Sequence, residues 1–227
     1  TMKQRLAAPS VLVSLNGIAD LKGVRKTAEG LSVGAATTHA MVAREARAAY
    51  PALAALAGQI GDPAVRNRGT IGGSVANNDP SACYPSAVLA SGATVLTNRR
   101  RIAADDFFTG MFQTALEEGE IITEVIFPIP EKAAYIKFAQ AASRFALTGV
   151  FVAKHAGGVR VAVTGASNGG VFRWTEAEAA LSADFSGSAL AGVRASPAGM
   201  IADLHGTAEY RAHLVAVLTK RAVEAAR

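Results

Sequence analysis

Two prolines within three residues, Pro128 and Pro130, interrupt this 227-residue chain just past its middle. Proline lacks an amide donor and restricts the residue before it, so neither a helix nor a central strand runs through such a pair. The chain must therefore fold as two patterns that meet there. Before the prolines, short strand-like and helix-like runs alternate. "VLVSL" (11–15) and "LSVGA" (31–35) read as strands with a polar, Gly-containing segment between them. "THAMVAREARAAY" reads as a helix with Thr38 as N-cap, and "PALAALAGQI" as another with Pro51 in its first turn. "PSAVLASG" reads as helical, "TVLTN" and "RRIA" as a hairpin, and "IITEVIFPI" (121–129) as a strand. After the prolines, "YIKFAQ", "LTGVFVAKH" and "VRVAVTGA" read as three strands, with Gly157-Gly158 turning the last two into a hairpin. "TEAEAALSA" carries Thr175 and Glu178 at capping-box spacing. The tail places Tyr210, Leu214, Val217 and Leu218 on one helical face. The expected class is α+β. One domain spans residues 1–130, and a smaller one of antiparallel sheet plus helices spans 131–227.

Composition narrows the function classes. Hydrophobic residues make up 50% of the chain, ample for a core, and no window of about twenty uninterrupted apolar residues could span a membrane. The single cysteine, Cys83, excludes an internal disulfide and any all-cysteine iron–sulfur site, and it fits a reducing cytoplasm. The net charge of +5 is mild. Its densest cluster, "NRRR" (98–101), reads as a solvated turn before an ion-pairing subunit contact, and no nucleic-acid motif accompanies it. Thr1 precedes Met2, and the first clear strand pattern arrives at Val11, so the numbered chain reads as an internal piece of a longer protein.

Few side chains look catalytic. His39, His155, His205 and His213 show no metal-ligand spacing and read as surface or satisfied core residues. Asp105 and Asp106 read as helix-capping residues rather than an acid pair. Cys83 has no basic neighbour within three residues and reads as a small buried thiol. Trp174 reads as a packing or interface aromatic. No nucleophile, general acid or general base emerges, which suits a chain that binds a cofactor and leaves the chemistry to it.

The least ordinary stretch is "RNRGTIGGSVANNDPS" (66–81). Gly69, Gly72 and Gly73 permit positive φ and close backbone approach, and free amides in such a turn form an anion nest. Thr70 and Ser74 add hydroxyls, and the helix that follows could point its N-terminus at the same anion. The stretch lacks the Walker lysine and the Rossmann glycine order. Spacing alone leaves both a tight structural turn and a phosphate cradle open.

In its wider setting the stretch resembles a known family. "IGDPAVRNRGTIGGSVANNDPSACYPSAVLASGATV", "FFTGMFQTALEEGEIITEVIFP" and "KFAQAASRFALTGVFVA" look like the FAD-binding, or medium, subunit of molybdenum hydroxylases. These are the aerobic carbon monoxide dehydrogenase and xanthine dehydrogenase type. "TGASNGGVFRWTEAEAAL" and "DLHGTAEYRAHLVAVLTKRA" extend the resemblance over essentially the whole chain. It implies a vanillyl-alcohol-oxidase or PCMH-type FAD fold followed by a small C-terminal flavoprotein domain. The family also carries an upstream AGGxSLLP-type loop; here that segment is absent, and half the expected cradle with it. The implied cofactor is FAD. The implied partners are a molybdopterin-binding large subunit and a small subunit with two [2Fe–2S] clusters, in a dimer of heterotrimers. Electrons would pass from molybdenum through the clusters to the flavin and on to an external acceptor.

Position by position, the resemblance assigns Thr70, Ile71, Gly72, Gly73 and Ser74 to a pyrophosphate loop. Ile60 falls at a flavin-contacting apolar position, and Asn77 and Asp79 at phosphate or ribose contacts. Cys83 replaces an aspartate that bonds the adenosine part. Ile122 maps to a backbone contact near the flavin ring, and Gln140 to a position that can be a flavin-contacting lysine. Phe145 takes the place of a tyrosine that covers one ring face. Each has a plainer reading. Ile60 and Ile122 suit a core, Asn77 and Asp79 suit turns, and Phe145 could bridge the two domains. A subunit-docking scaffold with impaired FAD binding, or a non-redox nucleotide-binding module, are the alternatives in function.

Overall fold

The computed structural model describes residue 4, residue 6 and residues 8–227. A hairpin of β1 (Val24–Thr27) and β2 (Gly30–Gly34) leads into five helices. These are α1 (His39–Glu45), α2 (Pro51–Gly58), α3 (Pro63–Arg68), α4 (Ile71–Asn77) and α5 (Tyr84–Ala90). Next come β3 (Thr94–Thr97), β4 (Arg101–Ala103), the short α6 (Ala104–Phe107), β5 (Phe108–Gly110), β6 (Gln113–Thr114) and β7 (Ile122–Phe127). Beyond the prolines lie β8 (Lys132–Ala139), β9 (Ala146–His155), β10 (Gly158–Thr164), β11 (Phe172–Arg173), α7 (Thr175–Ala183) and α8 (Ala208–Ala225). No helix among the described residues is long and apolar enough to cross a membrane.

The elements form an α+β molecule with two main antiparallel sheets. The first has the order β1-β2-β7-β3-β4 and the second β11-β10-β9-β8. The second sheet is covered on both faces. Side chains alternate along a strand, so a strand buried on both sides reads as an unbroken apolar run, as "LTGVFVA" does. On β9, Phe151 and Ala153 join a core with Leu53, Val88 and Phe127. Val150 and Val152 face the other way, onto a core with Leu181, Leu214 and Leu218. Thus α2 and α5 from the first half pack on β8, β9 and β10, while α7 and α8 close the far face. Inside the first core the Tyr50 hydroxyl and Ser91 Oγ hydrogen-bond at 2.7 Å, which satisfies two buried polar groups.

Several local expectations hold. Thr38 caps α1 by accepting the Met41 amide, Pro51 opens α2, and β3–β4 and β9–β10 are hairpins. The arginine run lies at the β3–β4 turn and is ion-paired within the chain, to Glu117, Glu120 and Glu29. Trp174 is a packing residue of the second core.

Others are corrected. Residues 11–15 are exposed, have no regular secondary structure and pair with no described strand; the first strand is "VRKT" in β1, which the polar character of that segment hid. The capping box at α7 does not form. Trp174 occupies the N-cap position, and the Glu178 carboxylate instead accepts the Val161 amide and the Arg173 guanidinium. A partly buried arginine beside it is the stronger partner. Asp105 and Asp106 sit inside the first turn of α6 and cap nothing; Asp105 ties α6 to β10 of the second sheet through Arg160 at 2.6 Å. On α8, Leu214 and Leu218 are buried as expected, Val217 is half-buried, and the face is centred toward Arg211 and Val215 rather than Tyr210. Tyr210 is exposed, and Arg211 is buried where it donates to the Leu147 and Gly165 carbonyls and to Asp203.

A candidate cofactor site on either side of a short helix

The glycine stretch is a helix, not a loop. Thr70 is its N-cap, and its Oγ1 accepts the Gly73 amide at 3.2 Å. None of Gly69, Gly72 and Gly73 has a positive φ; the left-handed residue is Asn78, at φ 44°, which ends the helix. The glycines are there for space. A Cβ on Gly72 would meet the Ala35 Cβ at 2.5 Å, and one on Gly69 would meet the His39 imidazole at 2.5 Å. A Cβ on Gly73 would touch only the Thr70 hydroxyl, at 3.1 Å.

Nor do the amides form a free nest. Ile71 donates to the Thr37 carbonyl at 3.1 Å, Gly72 to Ala35 at 2.8 Å and Ser74 to Thr70 at 3.1 Å. The first two bonds pin α4 against the turn that follows β2, and the third lies within the helix. They also fix which face it shows. With 3.6 residues per turn, Ile71, Gly72 and Val75 are buried, and Thr70, Gly73, Ser74 and Asn77 form the outward face at i, i+3, i+4 and i+7.

That face is a ridge between two cavities of similar size. The first, about 240 Å³, has Ala35, Leu116, Ile121 and Ile122 in its wall, and Thr70, Gly72 and Gly73 on the ridge side. The second, about 250 Å³, has Ile60, Val65, Cys83 and Phe145 in its wall, and Ser74 and Asn77 on the ridge side, with Asp79 close by. The sequence-predicted residues are thus brought together but sorted. Ile122 and Phe145, both expected at the flavin ring, lie in different cavities. Cys83, expected at the adenosine end, shares the cavity of Phe145. Ile71 is buried beneath the ridge. Gln140 lies in the β8–β9 turn, where its carbonyl side chain accepts a bond from Ser143. The lysine of this region is three residues earlier: Lys137 lines the second cavity.

Two features of this cavity escaped sequence reasoning, the state of His39 and the surroundings of Cys83. His39 is 5% exposed, and its ring nitrogens bond no described protein group; Nδ1 is fully buried without a partner. It is not the satisfied core histidine expected. Burial, reinforced by the Arg66 charge, lowers its pKa to about 4, so the imidazole is neutral at pH 7. Cys83 is buried as expected, but not free of basic neighbours, since Lys137 Nζ lies 3.6 Å from its sulfur. Burial is the larger effect and pushes the thiol pKa up. The proximity comes from the fold, which sets β8 beside the start of α5, and no local pattern announces it.

The residues present fit a ligand with two ring systems joined by a narrow polar link. Two apolar cavities flank a ridge whose one exposed glycine leaves room for that link, and an unbonded imidazole lines the second. FAD has this form. Comparison with known proteins points the same way. The family model "FAD binding domain in molybdopterin dehydrogenase" matches residues 1–130. The nicotine 6-hydroxylase medium subunit of Paenarthrobacter nicotinovorans is 35% identical over 98% of this chain and 84% of its own. The carbon monoxide dehydrogenase medium chain of Hydrogenophaga pseudoflava is 32% identical over 99% of this chain and 84% of its own. Among solved structures, reconstituted carbon monoxide dehydrogenase from Oligotropha carboxidovorans superposes with a TM-score of 0.88 at 30% identity, covering 98% of this chain and 84% of that one. The chain belongs to this family and is an FAD-binding oxidoreductase subunit of the molybdenum hydroxylase type.

Proposed function

We propose that this chain holds one FAD across the α4 ridge and passes electrons from partner iron–sulfur clusters to an external acceptor. The observation that carries the reading is the pair of similar cavities separated by the Thr70–Gly73–Ser74 face. The isoalloxazine is assigned to the second cavity, where Ile60, Val65 and Phe145 offer apolar and aromatic faces. The adenosine is assigned to the first, against Leu116, Ile121 and Ile122. This assignment exchanges the roles expected for Cys83 and Ile122. The hydroxyls of Thr70 and Ser74 would hold the pyrophosphate, and Gly73 between them would leave room for it.

Bound FAD supplies reversible two-electron chemistry. The chain contributes binding, orientation and an electrostatic setting, and it offers no nucleophile or acid–base pair of its own. Phe145, about half exposed, keeps one side of the second cavity open to an approaching acceptor. The partners in this reading are a molybdopterin-binding large subunit and a small subunit with two [2Fe–2S] clusters. Medium chains of the carbon monoxide dehydrogenases and of nicotine 6-hydroxylase carry the same subunit designation. The complex is placed in the cytoplasm, where the lone thiol stays reduced. The residues from 131 onward, with β8 to α8, are read as the second domain.

The test is reconstitution. The purified protein, alone and with its co-expressed partners, is titrated with FAD and followed by flavin absorbance and fluorescence quenching. Saturable binding in preference to ADP, and bleaching when substrate reduces the complex, are expected. Equal binding of ADP without flavin preference would replace the reading with a nucleotide-binding module.

A further inference from the structure

Three basic side chains converge on three successive carbonyls at the wall of the second cavity. Lys137 Nζ donates to the Gln59 carbonyl at 2.7 Å. Arg66 donates to the Ile60 and Gly61 carbonyls, each at 2.9 Å. Arg144 reaches the Gly61 carbonyl at 3.4 Å. Lys137 also donates to the Arg144 carbonyl at 2.8 Å and lies 3.6 Å from the Cys83 sulfur, so all three of its donors have partners and its position is fixed.

None of the three forms an ion pair among the described residues, although Arg25, Arg44, Arg99, Arg100, Arg101, Lys154, Arg160, Arg173 and Arg211 do. The nearby carboxylates face other groups. Asp62 accepts the Val65 amide and caps α3, and Asp79 accepts the Ser81 amide. Asp79 is the one carboxylate in the cavity wall, against Lys137 and Arg144. Carbonyl dipoles orient cations but do not cancel their charge. The cavity is therefore electropositive, and its walls are apolar enough to preserve the field.

We infer that the Lys137–Arg66–Arg144 cluster sets the redox poise of the flavin: it favours whichever state carries more negative charge, and so binds the reduced ring more tightly than the oxidised one. This rests on the assignment of the isoalloxazine to the second cavity. Lys137 is the central member, because its three bonds join the end of α2 to the β8–β9 turn and hold its charge at the wall. It acts as a positioning and field residue, with no donor left for the cofactor itself.

The test is the midpoint potential of bound FAD, measured by reductive titration against a reference dye. Wild-type protein is expected to hold its flavin at a potential above that of free FAD. Lys137→Met should weaken binding of reduced flavin about tenfold relative to oxidised flavin, a fall of about 30 mV for a two-electron couple. Lys137→Arg should restore the wild-type value. Arg144→Asn serves as a second variant, because position 144 has φ 61° and asparagine tolerates that conformation. It should shift the potential the same way without depending on the Lys137 bonds to fold. A purely structural staple would lower affinity for both redox states equally and leave the potential alone. Bound FAD at an unshifted potential in wild type, or no change in either charge-removing variant, would overturn the inference. Wild-type protein that takes up no FAD would overturn the functional reading beneath it instead.

Discussion

Gly72 donates its amide to the Ala35 carbonyl at 2.8 Å, and any Cβ on Gly72 would stand 2.5 Å from the Ala35 Cβ. The helix that divides the two cavities is therefore in backbone contact with the turn after β2. Gly72→Ala forces that contact apart in a buried, close-packed place. A loss of about 1–3 kcal/mol is expected, typical of overpacking. Urea denaturation of the variant checks it, and a midpoint equal to wild type would mean the contact is looser than drawn.

The neighbouring glycine should behave oppositely. Gly73 is exposed on the ridge, and its Cβ would meet only the Thr70 hydroxyl at 3.1 Å. Gly73→Ala is expected to leave stability within about 1 kcal/mol of wild type, because alanine favours helix. If FAD crosses the ridge as proposed, its affinity should fall at least tenfold, because the added methyl stands in the way. Paired denaturation and flavin titration separate the two effects.

His39 makes stability depend on pH. Its pKa falls from 6.5 to about 4 on folding, so the unfolded chain binds the proton more readily between those values. Its contribution is full above pH 6.5 and declines as pH falls toward 4, by up to about 3 kcal/mol. His155, whose pKa is also lowered by burial, acts in the same direction. Replacing His39 with glutamine should flatten unfolding free energy against pH in this window; an unchanged slope would show that the histidine is solvated.

Glu120 acts at a lower pH. Its carboxylate receives Arg100 in two bonds of 3.0 Å, the Thr97 hydroxyl at 2.7 Å and the Glu117 amide at 2.9 Å. These bonds, Arg100 first, hold its pKa at about 2 against 4.5. A depressed acid contributes above its unfolded pKa and loses that contribution as pH falls from 4.5 through 2. Glu120→Gln should cost stability at pH 7 and almost none near pH 2. Acid-unfolding curves of the two proteins should converge.

Asn78 combines a rare backbone with two side-chain bonds. It sits at φ 44° and donates its amide to the Gly110 and Gln113 carbonyls, each at 2.8 Å. Asn78→Gly keeps the backbone and loses the bonds; Asn78→Ala loses both. The expected order of stability is wild type, then glycine, then alanine, with alanine lower by about 2–4 kcal/mol. Thermal melts of the three proteins test the ranking.

Much of the architecture was legible in the residues. The proline pair marked the junction between the sheets, and the apolar run in β9 announced a strand buried on both sides. Thr38 and Pro51 set helix starts by local chemistry alone, because a cap satisfies amides only a few residues away. The glycine stretch stood out in the sequence, but its shape did not. Its glycines suggested a loop with positive φ, and the fold made them a helix pressed against Ala35, where space rather than dihedral freedom excludes a side chain. Thr175 and Glu178 had the right spacing for a cap, yet Arg173 and the Val161 amide outcompeted it once β10 was in place. Val11–Leu15 had a strand's composition but found no ladder partner among the described residues. Family membership followed from the order of residues. The placement of Cys83 beside Lys137, the unbonded His39, and the gathering of Lys137, Arg66 and Arg144 on residues 59–61 did not. Those contacts join positions up to 83 apart in sequence, as between Gly61 and Arg144. Only the packing of α2 on β8, and of α5 on β9 and β10 of the same sheet, brings such distant groups within reach, and short-range electrostatics then acts on what the packing has placed.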